Sequence, residues 1–148
     1  MSVTQTPDQN KVTIRKLYEE ILNTGKWELL DPIIAEDFIG LYGQKGPSAF
    51  AETVRGLRQG FPDILWTVED LIAEGDKVVV RWSWKATHSG TFRGFAPTHK
   101  ALTDHAIAIY QFRDKQIVQA WLETDRLGFL QQIGLIPQDL GSLSQTQK

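Results

Sequence analysis

The chain has no cysteine and a single methionine among its 148 residues. Without thiols there can be no disulfide, no thiolate nucleophile and no cysteine-type zinc site. Charge of one sign is also missing. The 16 lysines and arginines nearly balance the 18 aspartates and glutamates, for a formal net charge of −2, so no basic face is expected to hold a nucleic acid or an anionic membrane. No apolar run approaches the ~20 residues of a membrane span, and the start, Met1 to Asn10, is polar without an apolar signal core. These absences predict a soluble protein, cytoplasmic by default. Metal and nucleotide signatures are absent too. His88, His99 and His105 lack the spacing of a helical metal pair and have no acidic companion in a ligand pattern. Gly90 and Gly94 lack the lysine and strand-to-helix context of a phosphate loop, and there is no serine nucleophile elbow. The expectation is an activity without cofactor or metal.

An apolar content of 41% over this length fits one globular domain, residues 1–148, with its core at about 10–137 and a polar, frayed tail at 138–148. Ile14, Leu17, Tyr18, Ile21 and Leu22 make one stripe of an amphipathic helix closed by Asn23-Thr24-Gly25. Trp27 to Ile34 reads as short helical pieces, with Asp31-Pro32 as the start of one, and Phe38 to Tyr42 as a short extended piece. Gly46-Pro47-Ser48 opens another helix, whose Phe50, Val54, Leu57 and Phe61 share a face and which Pro62 stops. The period then changes. Leu65 to Ala73 and Lys77 to Ala86 form a hairpin around Glu74-Gly75-Asp76. Ala101 to Phe112 and Gln116 to Thr124 form a second, and Asp125 to Ile133 is a short helix capped by Gly134. Helices first and a meandering antiparallel sheet afterwards define an α+β fold, a curved sheet with helices packed on it. Such an arrangement encloses an apolar pocket that the five tryptophans and seven phenylalanines could line.

The stretch joining the two hairpins, Thr87-His88-Ser89-Gly90-Thr91-Phe92-Arg93-Gly94-Phe95-Ala96-Pro97-Thr98, is too particular for a generic loop. Gly90 and Gly94 permit backbone angles other residues resist and Pro97 fixes its own, so a defined shape beside a cavity is expected. Together with Gly75-Asp76-Lys77-Val78-Val79, Phe61-Pro62-Asp63, Lys115-Gln116-Ile117-Val118, Trp121 and Asp125-Arg126-Leu127-Gly128-Phe129-Leu130-Gln131-Gln132-Ile133-Gly134, it resembles the SnoaL-like polyketide cyclase family over roughly residues 10 to 137. The resemblance implies the nuclear-transport-factor-2-like cone, a homodimer, and a place among cyclases, dehydratases, isomerases and hydrolases. Cyclases of that family place an acid directly after the tryptophan that Trp121 resembles. Here that position is Leu122.

The acid/base group must then lie elsewhere. If Leu122 faces the cavity, Val118, Ala120 and Thr124 share its face. His105, in a row with Thr103, Ile107 and Ile109, is the candidate acid/base, against the reading of a histidine satisfied structurally. Asp125 either orients His105 or caps the last helix. Asp104 falls on the opposite face, with Ala106, Ala108 and Tyr110, which this assignment leaves, with Trp121, to an outer dimer surface. His88 either holds the loop or points into the pocket mouth, and Asp63 organises the corner before the sheet. Tyr18, Trp66, Trp82, Trp84, Ile107, Leu122 and Thr124 are the expected lining. The function so read is cofactor-free acid/base chemistry, of cyclase or isomerase type, on a small apolar carbonyl or cyclic metabolite. The competing readings are a non-catalytic ligand-binding module and a hydrolase or dehydratase of the same fold.

Overall fold

The protein is described by a computed structural model over residues 5–40 and 43–145. Leu41 and Tyr42 of the expected extended piece and the last three residues of the tail lie outside the described residues. Helix α1 spans Pro7–Lys16, earlier than the apolar stripe suggests, because Thr6 and Gln9 form a reciprocal capping box with Pro7 at the first helical position. It runs on as a π-helical segment, Leu17–Leu22, in which the Asn23 N–H reaches back to the Tyr18 carbonyl. The wider turn brings Leu17, Tyr18, Ile21 and Leu22 all into the core. Each fully buried Leu or Ile there contributes roughly 2 kcal/mol of hydrophobic stabilisation.

Trp27–Leu30 is a 3-10 turn, and Asp31 ends it rather than opening a helix. The chain instead turns so that Ile34 bridges Ile117, covering part of a strand that would otherwise present a bare edge. Helix α2, Pro47–Gly60, starts after Gly46 in the left-handed region and stops before Pro62. Strands β1 (Leu65–Glu74), β2 (Lys77–Thr87), β3 (Ala101–Arg113) and β4 (Gln116–Thr124) make one antiparallel sheet in sequential order. Register shifts between Val68 and Asp70 and between Gln111 and Phe112 bend it. Helix α3, Arg126–Gln132, follows. The tail is less frayed than expected: Leu140–Gln145 forms a 3-10 turn seeded by Asp139, which accepts from the Gly141 N–H.

The core lies between the helices and the inner sheet face. On β3 that face carries Leu102, Asp104, Ala106, Ala108, Tyr110 and Phe112, all buried. Thr103, His105 and Ile107 are exposed on the outer face. The parity read from the sequence is therefore reversed on this strand. The two hairpins are joined by a long connection, so no tight turn ties the register of β3 to that of β2. Pairing decides it: Trp84 stands opposite Asp104 and Ser83 opposite His105, and directly opposed residues share a face. Ala106, Ala108 and Tyr110 thus belong to the core and not to an outer dimer surface. Trp121 does remain outside. It closes a row formed by Ile72 opposite Val79, Val79 opposite Ile109 and Ile109 opposite Trp121, one residue from each strand.

Candidate active site

The inner face, α2 and the connection from Thr87 to Lys100 enclose a cavity of about 560 Å³. A second, narrower one of about 170 Å³ shares Thr53, Leu57, Trp82 and Leu122 with it. The two are lobes of one site, an open outer lobe and an apolar inner lobe. The connecting loop is held by backbone contact. Gly90 N–H donates to the Gly60 carbonyl at 3.0 Å, and a Cβ at Gly90 would stand 2.0 Å from the Gln59 carbonyl oxygen. Gly90 is needed for close approach, whereas Gly94 is needed for its left-handed backbone (φ 84°). The loop so fixed places Thr91, Phe92 and Arg93 in the outer wall.

His88 is fully buried and belongs to this scaffold. Its ring stacks on Phe61 at 5.1 Å, Nδ1 lies 3.0 Å from the Thr98 hydroxyl, and its backbone bonds to Lys100 and His99. It holds the loop and does not reach the pocket mouth. Asp63 ties the corner, accepting from the Thr87 N–H at 2.7 Å, a bond that lowers its pKa. Tyr18 and Trp66 line the inner lobe, Trp84 and Thr124 the outer lobe, and Trp82 and Leu122 both. Ile107 does not line it; on the outer face it is 51% exposed. His105, the expected acid/base, is exposed on the same outer face, across the sheet from the cavity. Asp125 caps α3, accepting from the Gly128 N–H at 2.9 Å, and does not orient His105.

The residue that sequence parity turned away is the one in the wall. Asp104 is 8% exposed and lines the outer lobe with Trp82, Trp84 and Leu122. One oxygen accepts from the His105 backbone N–H at 2.8 Å. The other lies 3.3 Å from the Thr124 hydroxyl, whose single proton is shared with the His105 carbonyl at 3.1 Å. Burial raises the Asp104 pKa above the usual carboxylate value, against the pull of those two hydrogen bonds. Arg126 and Arg93 bring positive charge to the same lobe. A sequence signal for Asp104 did exist. The row it shares ends in Leu102 and Phe112, whereas the row of His105 ends in Gln111 and Arg113, which marks the latter as wet. Deeper in, the Tyr18 and Tyr110 hydroxyls lie 2.6 Å apart, both buried. Burial raises both pKa values, that of Tyr110 to about 12 and that of Tyr18 well above its ordinary value with the neighbouring Tyr110 adding to it. Among the described residues no cluster of histidine and acidic side chains could hold a metal ion, and no helix is long and apolar enough to cross a membrane.

Residues 12–133 match the family model of the SnoaL-like polyketide cyclases. Among solved structures, IdmH from Streptomyces antibioticus, assigned as a polyketide cyclase, is 30% identical, with a TM-score of 0.74 over 85% of this chain and 99% of that one. A protein from Acidithiobacillus ferrooxidans with the same assignment is also 30% identical, with a TM-score of 0.75 over 90% and 97% of the two chains. TsrD from Streptomyces laurentii, 21% identical, superposes with a TM-score of 0.82 over 90% of this chain and all of that one, a likeness of fold. No protein of curated function matches the sequence significantly. With the family pattern spanning its helices, its sheet and the loop that shapes its cavity, this chain belongs to the SnoaL-like polyketide cyclases.

Proposed function

We propose that the chain is a small-molecule enzyme that moves protons on an apolar carbonyl or cyclic metabolite, in the manner of a cyclase or isomerase, with Asp104 as its acid/base. One observation carries this reading: a carboxylate only 8% exposed stands in the wall of a largely aromatic and aliphatic cavity. A carboxylate whose pKa burial has raised is a stronger base than an exposed one, and it keeps a proton to donate up to a higher pH. Ionised Asp104 takes a proton from a carbon beside the carbonyl. Thr124, free to turn its proton to either acceptor, follows the change of charge. The positive charge of Arg126 and Arg93 offsets the negative charge that develops on the enolate oxygen. Return of the proton at another carbon completes an isomerisation, and attack of the enolate carbon on a second carbonyl closes a ring. Where cyclases of the family take their acid from the strand of Leu122, this chain would take it from β3.

The test uses 2-tetralone, an apolar cyclic ketone, in deuterium oxide. Wild-type protein is expected to accelerate exchange of its α-protons, followed by proton NMR, and Asp104→Asn to abolish the acceleration. Equal exchange by the two proteins would remove Asp104 from the chemistry. A non-catalytic binding module is the second reading, favoured by Leu122, and binding of the ketone without accelerated exchange would establish it. For assembly, we propose a homodimer through the outer row Ile72, Val79, Ile109 and Trp121, since Ile72 is 64% and Trp121 43% exposed and an apolar stripe across a whole sheet face is unusual on a monomer.

A further inference from the structure

The pairing of β3 with β4 ends at Ala106 opposite Thr124, because Asp125 turns away to cap α3. β3 starts earlier, at Ala101, so the backbone groups that Thr103 and His105 turn toward that side have no strand to meet. Side chains meet them instead. The Thr103 N–H donates to Gln132 Oε1 at 3.0 Å, and Gln132 Nε2 donates to the Thr103 carbonyl at 2.8 Å, the two bonds a neighbouring strand would make. The His105 N–H donates to the Asp104 carboxylate at 2.8 Å, and the His105 carbonyl lies 3.1 Å from the Thr124 hydroxyl. The carboxylate in the cavity wall is thus one of three side chains that complete this edge, and it follows directly on the residue that Gln132 grips.

We propose that Gln132 is the positioning residue for Asp104, standing in for a missing strand and holding the end of β3 that carries the carboxylate against the cavity. The inference rests on the reading of Asp104 as the acid/base and adds to it the group that aims it. Gln132 is itself fixed. It ends α3 one turn beyond Phe129, whose ring packs on Phe61, Trp84 and Phe92 with centroids 5.7, 6.1 and 5.7 Å away, and it precedes the buried Ile133. Without its grip, the Thr103 backbone groups would turn to water and the end of β3 would fray as weakly held strand ends do. Asp104 would then swing toward solvent and lose the burial that raises its pKa. A second amide grips the sheet in the same way and serves as a control. The Trp66 N–H donates to Asn23 Oδ1 at 2.7 Å and Asn23 Nδ2 donates to the Trp66 carbonyl at 3.0 Å, two strands away from Asp104 in the register.

Carbon-13 NMR of the aspartate carboxyls tests this with Gln132→Met, which keeps the length of the side chain and removes both bonds. Asp104 is expected to titrate lower in that variant than in wild type, toward the ordinary 3.8, whereas Asn23→Leu should leave its titration in place. Both substitutions exchange one neutral group for another, so the charges around Asp104, on His105, Asp125, Arg93 and Arg126, stay as they were. In deuterium exchange of 2-tetralone, Gln132→Met should lower the saturating rate about ten- to a hundredfold and leave the half-saturating concentration within about twofold, the mark of a misplaced group rather than a lost binding contact. One measurement needs no variant: the Thr103 amide of wild-type protein should exchange its hydrogen at least about tenfold more slowly than an unprotected amide. An unprotected Thr103 amide, identical Asp104 titrations in wild type and Gln132→Met, or an equal fall in Asn23→Leu would overturn the assignment. The carboxyl titration requires no turnover, so it judges Gln132 even where Asp104→Asn exchanges ketone protons as fast as wild type and the acid/base reading fails.

Discussion

Trp84 and Asp104 stand directly opposite each other in the β2–β3 ladder, which puts a carboxylate on the same face as an indole at the wall of the cavity. A carboxylate in that place loses water that an exposed one keeps, and its proton affinity rises. His105 is one residue further along, on the side of the sheet that the cavity never meets.

The activity consequence is a pair of substitutions with opposite outcomes. Asp104→Asn should lower proton transfer by about 10²- to 10⁴-fold, the usual effect of removing a positioned acid/base, whereas His105→Ala should stay within about threefold of wild type. Exchange rates of 2-tetralone protons in the three proteins decide it.

The stability consequence follows from the direction of the Asp104 shift. A carboxyl whose folded pKa is raised binds its proton more tightly in the native state, so its contribution is fully present below the unfolded value of 3.8 and is lost as pH rises through the folded pKa. Wild-type protein should therefore lose Tm relative to Asp104→Asn as pH rises from 3.8 through that region. Thermal melts of the two proteins across pH 3 to 7 measure the divergence, and parallel curves would contradict a raised pKa.

Asp125 is predicted to act through stability alone, and Gly90 through the seating of the loop. Asp125→Ala removes the cap on the Gly128 N–H and should cost about 1 kcal/mol. Gly90→Ala forces a methyl against the Gln59 carbonyl and should cost roughly 2 kcal/mol or prevent the loop from seating. Urea melts report both. An Asp125→Ala protein of unchanged stability and lost activity would return that residue to the chemistry.

Ile72→Lys places a charge at the β1 end of the outer apolar row without touching the cavity. Sedimentation at tens of micromolar should find a dimer for the wild type and a monomer for the variant. A monomeric wild type would refute the outer row as an interface.

The elements were legible in the sequence because each rests on local physics. The stripe from Ile14 to Leu22, the proline and glycine boundaries of α2, and the turn at Glu74-Gly75-Asp76 act within a few residues, and Tyr18, Trp82 and Trp84 lay where their own periodicity put them. The motifs spread from Phe61 to Gly134 carried the family, which the match over residues 12–133 bears out. What only the tertiary structure decided was the face of β3. Alternation sorts a strand into two rows but does not say which is inward, and a slip of one residue exchanges them. The partner strand settles it, through the pairing of Trp84 with Asp104 across a connection too long to set register by itself. The same pairing turned Ala108 and Tyr110 into cavity wall, Ala106 into core and His105 and Ile107 into surface, and so moved the proposed acid/base from a histidine to the aspartate beside it.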